Sequence, residues 1–166
     1  MVLHALIGPD DLTRSGYDPH DPDLVVLANP LAEQHSIMRP VMYPSLLAGL
    51  AENVRQRLAA PWLFEIGKTY WQGEVKGPAG AETAGSGRWE AWHACIALLG
   101  PRTPRTADAE MPDADLSTLK GIVEGLHRSL GARVPNYRAE TAEELHPHLH
   151  PGRAARIIDT SGRAYG

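Results

Sequence analysis

Three imidazoles crowd into one pentapeptide near the end of the chain, His146-Pro147-His148-Leu149-His150. Alternate positions on an extended strand share a face. His146, His148 and His150 could therefore converge on a zinc-type ion, making the chain a metal-dependent enzyme. Pro147 and Pro151 interrupt any regular strand here, and no helical metalloenzyme signature accompanies the cluster. The plainer reading is a partly exposed loop whose histidines cap or pack, with no metal bound. Cys95 offers a thiol nucleophile, but it lies between Ala94 and Ile96 in an apolar run, where a thiol is a small buried hydrophobe. The glycine-rich stretch Gly77 to Gly87 lacks the Gly-Lys-Ser/Thr ending of a phosphate loop and reads as a flexible connection.

Composition excludes several classes. The chain has 166 residues and 43% hydrophobic content, which suits one soluble domain, expected over 1–166. A net charge of −4 gives no global basic field for nucleic acid. The arginines and lysines are scattered, without interleaved aromatics, so a stacking platform for single strands is not expected. The single cysteine excludes an internal disulfide and suits a reducing compartment. No run approaches the roughly 18 apolar residues of a membrane span. A soluble, cytoplasmic protein is expected, with no membrane partner.

The elements that would position these groups follow from periodicity and breakers. Val2 to Ile7 suits a strand, and Pro9 to Pro22 a loop with at most one helical turn. Leu24 to Ala28, between Pro22 and Pro30, reads as a buried strand. Ser36 to Tyr43 is a further extended stretch. A helix starts at Pro44, with Leu46, Leu47, Leu50, Val54 and Leu58 at helical spacing and Arg55 and Arg57 in its last turn. Trp62 to Trp71 alternates as a half-buried strand: Trp62, Phe64, Ile66 and Tyr70 point one way, Glu65, Gly67 and Thr69 the other. Residues 73–88 read as a long flexible hairpin loop, and Trp89 to Leu99 as a central strand. The four tryptophans, Trp62, Trp71, Trp89 and Trp92, suit cross-strand packing or an interface equally well. Asp113 and Asp115 open a second helix, whose buried face is Leu116, Leu119, Ile122, Val123, Leu126 and Leu130, and Gly131 stops it. Arg133 to Glu140 suits a strand, and a closing hairpin turns at Ser161-Gly162. The fold class is α+β, an antiparallel sheet flanked by helices.

Five phrases occur in an order that resembles the class II synthetase-like core domain of the phenylalanyl-tRNA synthetase beta subunit family. They are Asn29-Pro30-Leu31, Ile37-Met38-Arg39 before the leucine-rich helix, Phe64-Glu65-Ile66-Gly67-Lys68, Leu119-Lys120-Gly121, and His150-Pro151-Gly152-Arg153. The resemblance spans about residues 24 to 158. It implies a class II aminoacyl-tRNA synthetase-like fold that performs no catalysis itself. In active class II enzymes the strand similar to Leu63–Lys68 carries an arginine that grips the ATP α-phosphate; the matching position here is Glu65. A carboxylate about 4 Å from a phosphate charge costs on the order of 4 kcal/mol at an effective dielectric near 20.

The resemblance therefore implies no catalytic residue and no cofactor in this chain, with ATP and magnesium belonging to the parent complex. It implies a phenylalanyl-tRNA synthetase alpha subunit as partner in a heterotetramer, and tRNA reached through that complex. Structural or interface roles fall on Asn29, Pro30, Arg39, Phe64, Glu65, Gly67, Lys120, Gly121, His150, Pro151, Gly152 and Arg153. Arg39 and Glu65 are expected to pair, Lys120 to open the second helix, and His150 and Arg153 to fix the last loop. Family chains continue with further strands, so the chain is expected to be truncated at its C-terminal end. An edge exposed there would favour self-association. A stand-alone tRNA- or protein-binding module is the remaining alternative.

Overall fold

The computed structural model describes residues 3–58, 61–73, 82–83 (backbone only), 87–102, 112–141, 149–150 and 152–164. The chain divides into two compact units, Met1–Ala97 and Leu98–Gly166.

In the first unit, strand β1 (Leu6–Ile7) pairs antiparallel with β2 (Ile37–Met38). Between them lies helix α1 (Pro9–Arg14), whose start is held by the Asp11 carboxylate accepting the Gly8 N–H at 3.1 Å. Ile7, Leu12, Leu24 and Ile37 form the core here, with Tyr17 packed against it. Leu24 to Ala28 is not the expected buried strand. Leu24 is buried, but Val26 makes a single bridge to Ile37 with its side chain in solvent. Met38 N–H donates to Val25 C=O and Leu27 N–H to Ser36 C=O, so the backbone still pairs. The prolines at 22 and 30 leave too little chain for more.

Helix α2 (Tyr43–Arg55) buries Pro44, Leu46 and Leu50. It ends in a Schellman turn: Leu58 N–H donates to Asn53 C=O (3.0 Å) and Arg57 N–H to Val54 C=O (2.9 Å). Arg57, not a glycine, takes the left-handed position with φ 58°. Tyr43 Oη donates to Ser15 C=O at 3.0 Å, tying α2 to the end of α1.

Strands β3 (Trp62–Gln72), β4 (Glu82–Thr83) and β5 (Arg88–Leu98) form a three-stranded sheet with β5 in the middle. The stretch expected as a long flexible hairpin loop, 73–88, contains a short strand, β4, antiparallel to β5; residues 74–81 and 84–86 lie outside the described set. Gly73 N–H donates to Gly87 C=O (2.9 Å), both glycines having positive φ. Tyr70 N–H donates to Arg39 C=O and Gln72 N–H to Asp23 C=O, which fastens β3 to the segments around β2.

In the second unit, helix α3 (Leu116–Ser129) is capped by Asp115, whose carboxylate accepts the Thr118 N–H at 2.8 Å. Hydrogen bonds from Ser117 and Thr118 hold that carboxyl well below the usual carboxylate range. Gly131, at φ 67°, follows its end. The face expected to be buried is only partly covered: Leu116, Leu126 and Leu130 are exposed, and no residue of α3 is fully buried. Strands β6 (Asn136–Ala139) and β7 (Ala155–Ile158) pair antiparallel, Tyr137 opposite Ile157. The closing turn is present as a bridge from Ile158 to Ala164 and a bond from Asp159 N–H to Arg163 C=O. The architecture is α+β with small antiparallel sheets, rather than one continuous sheet. No helix among the described residues is long and apolar enough to cross a membrane.

Candidate functional site: a buried ion pair beneath an exposed apolar face

Strand β3 inverts the usual arrangement of a half-buried strand. Glu65, Gly67 and Thr69 are buried, whereas Trp62, Phe64 and Ile66 are 40%, 61% and 65% exposed. Trp92 of β5 is 66% exposed. Alternation places Trp62, Phe64 and Ile66 on one side of β3, and Glu65, Gly67 and Thr69 on the other.

Arg39 explains the inversion. Its Nη1 lies 3.0 Å from Glu65 Oε1, and its Nε donates to Lys68 C=O at 2.9 Å. Both side chains are almost completely withdrawn from water, at 3% and 4% exposure. Arg39 N–H donates to Ala5 C=O, so the backbone carrying the guanidinium is anchored to the segment before β1. Gly67 makes room for the pair, since a Cβ there would lie 2.1 Å from Arg39 Nη2. Glu65 Oε2 is buried without a hydrogen-bond partner among the described residues. Two charges buried at this separation need each other, because either one alone would be left desolvated and unpaired.

The same inward face continues through Thr69, whose Oγ1 is 3.0 Å from His93 Nδ1, and on to the edge-on contact of His93 with Trp71. Burial pushes His93 below the usual imidazole range. Burial, reinforced by the Glu65 charge, pushes the Cys95 thiol up, which disfavours the nucleophilic thiolate. On the outward face Lys68 pairs with Glu90 and lies 5.4 Å from the centre of the Trp92 ring.

The other sequence-predicted residues are dispersed. Asn29 and Pro30 sit in an exposed loop. Lys120 does not open α3, which starts four residues earlier. Its Nζ lies 4.7 Å from the Tyr137 ring centre, and its C=O accepts the Tyr137 hydroxyl at 3.3 Å. Gly121 has open space where a Cβ would go, so packing does not require glycine there. His150 and Arg153 have exposed side chains and are joined by a backbone bond, Arg153 N–H to His150 C=O at 3.0 Å, with Gly152 at φ 80°. Pro151, His146 and His148 lie outside the described residues. Among the described residues no group of three His, Cys, Asp or Glu side chains could hold a metal.

Sequence reasoning missed the Lys68–Glu90 pair on the outward face and the Thr69–His93 contact on the inward one. The alternation along β3 was the available signal for Lys68 and Thr69. Nothing in a single sequence pointed to their partners on β5.

A buried charge pair thus lies under exposed aromatic and aliphatic side chains in an α+β module. Residues 1–164 match the family described as the phenylalanyl tRNA synthetase beta chain CLM domain, and the chain belongs to that family. It is similar to the phenylalanine–tRNA ligase beta subunits of Moorella thermoacetica (31% identical over 159 residues, 95% of this chain and 18% of the relative) and Geobacillus kaustophilus (31% over 159 residues, 94% and 18%). It is also similar to that of Burkholderia lata (34% over 140 residues, 84% and 16%). The chain thus spans less than a fifth of the length of these curated relatives.

Proposed function

We propose that this chain is a non-catalytic, class II synthetase-like core module of a phenylalanine–tRNA ligase beta subunit. It supports assembly with the catalytic alpha subunit in ATP-dependent charging of tRNA with phenylalanine. The observation that carries this reading is the burial of Glu65 against Arg39 beneath exposed Trp62, Phe64, Ile66 and Trp92. A phosphate gripped from the Glu65 position would have to lie on the inward face of β3, which the Arg39 guanidinium already fills. Glu65, at the position from which active relatives hold the α-phosphate, is committed to an internal pair. The residues on this strand therefore do not fit ATP and magnesium, which we assign to the alpha subunit. Exposed Trp62, Phe64, Ile66 and Trp92 are the residue types enriched at protein interfaces, and the Lys68–Glu90 pair beside Trp92 supplies a polar edge. tRNA is reached through the assembled complex, whose place of work is the cytoplasm.

Sedimentation velocity of the chain mixed with a phenylalanine–tRNA ligase alpha subunit tests the proposal. A hetero-complex is expected, weakened by Phe64→Glu or Ile66→Lys, with no quenching of tryptophan emission when ATP and magnesium are added to the chain alone. Absence of any complex, or saturable ATP binding by the isolated chain, overturns it. Salt-dependent tRNA binding by the isolated chain would favour a nucleic-acid-binding module instead.

A further inference from the structure

Helix α2 carries a second apolar stripe that its own unit does not use. Leu46 and Leu50 are buried, but Leu47 and Val54 are 51% and 50% exposed, and Ala51 between them is exposed as well. These three positions are separated by four and then three residues, and Leu58, four further on in the capping turn, is 52% exposed. Alternating four- and three-residue spacing is the seam of a helix that packs against another helix. Over Leu47 to Val54 it runs about 10 Å.

Leu47 and Ala51 of this stripe also line a cleft, with Val54 and Leu58 continuing the apolar surface beyond it. A hollow of about 350 Å³ lies between α1 and α2, lined among others by Asp11, Arg14, Leu47, Ala48, Ala51 and Arg55. Its shape is set by the Tyr43 hydroxyl on Ser15 C=O. Burial, with Tyr17 beside it, keeps that hydroxyl protonated far above neutral pH.

The charges along the stripe favour one sign of partner. Arg14 stands on the α1 side, and Arg55 and Arg57 stand at the C-terminal end of α2. Asp11, the acid lining the cleft, is engaged by the Gly8 N–H. Glu52 shares Arg55 and Gln56 in fully exposed contacts that an incoming carboxylate could displace. Arg57 holds a left-handed backbone position where glycine would be the lower-energy residue.

We propose that the α1–α2 cleft is a docking site for an amphipathic helix of another protein, with apolar residues at alternating three- and four-residue spacing and carboxylates flanking them. This surface is distinct from the β3–β5 face, and the inference stands whether or not that face binds the alpha subunit. A second copy of α2 satisfies it poorly, because its only carboxylate is Glu52, already held by its own Arg55 and Gln56. Helix α3 does not satisfy it either, since its charged residues are mainly basic: Lys120, His127 and Arg128 against Glu124.

The test titrates the full chain into two fluorescent three-heptad synthetic helices with the same leucine seam, one flanked by glutamates and one by lysines. Anisotropy is expected to show binding of the glutamate helix in preference to the lysine helix. Combined Arg14→Glu, Arg55→Glu and Arg57→Glu substitution should weaken the glutamate helix by about tenfold or more, because three exposed charge pairs each contribute a little. The same variant should then favour the lysine helix. Val54→Asp should abolish binding of both. These substitutions lie on exposed positions, so an unchanged circular dichroism spectrum should accompany them. Equal affinity for the two helices, binding untouched by Val54→Asp, or no binding of either overturns the proposal. A concentration-dependent dimer of the chain that Val54→Asp dissociates would overturn it in favour of a second copy as occupant.

Discussion

Replacing Arg39 by alanine should be the most damaging single change in the first unit. At 3.0 Å the Arg39–Glu65 attraction is about 5 kcal/mol for an effective dielectric near 20. Most of that offsets the desolvation of two groups that are 3–4% exposed. The pair is therefore worth little compared with two apolar side chains of the same shape. Breaking it from one side is different. Arg39→Ala strands Glu65 in the interior, with Oε2 already lacking a partner among the described residues, and removes one donor from Lys68 C=O. The expected loss is about 3–5 kcal/mol. With an m-value of about 2 kcal/mol/M in urea, the unfolding midpoint should fall by roughly 2 M. Tryptophan emission is a clean reporter, because Trp62, Trp71, Trp89 and Trp92 all lie in the first unit. The double variant Arg39→Met with Glu65→Leu should recover most of the loss, because no buried charge remains. A loss below about 1 kcal/mol for Arg39→Ala would refute the reasoning. A double variant as unstable as the single one would show that shape, not charge, holds this layer.

Three further outcomes follow from the same geometry. Gly67→Ala puts a Cβ 2.1 Å from Arg39 Nη2 and should cost about 2–3 kcal/mol in urea unfolding. The same change should be much milder in the Arg39→Met, Glu65→Leu background, a coupling that a double-mutant cycle measures. Arg57→Gly relieves the left-handed backbone at the end of α2 and should raise stability by about 0.5–1 kcal/mol, read from the thermal midpoint. Burial holds His93 below its usual pKa, so the unfolded chain takes up that proton first as pH falls. Its stabilising contribution is then complete above about pH 6.5 and declines as pH drops through that value toward the folded pKa. His93→Gln should flatten this part of the urea-midpoint profile between about pH 7.5 and 5.5, and an unaltered slope would rule His93 out as its source.

The local grammar of the chain was enough to determine several elements. Pro44 and the leucine spacing set out helix α2, Asp115 and Gly131 bracketed α3, and alternation over Trp62 to Trp71 marked β3 almost to its ends. These features depend on contacts within a few residues, which a single sequence records. The five ordered phrases also placed the chain in its family. Which face of β3 turns inward was decided only by tertiary structure. Alternation separates Phe64 and Ile66 from Glu65 and Gly67, but it carries no sign for inside and outside. That sign comes from Arg39, 26 residues away from Glu65, which meets the strand only through the tertiary fold. The same limit applies to the two apolar stripes of α2. Leucines 46 and 47 look alike in the sequence, and only packing against the rest of the unit buries one and leaves the other in solvent.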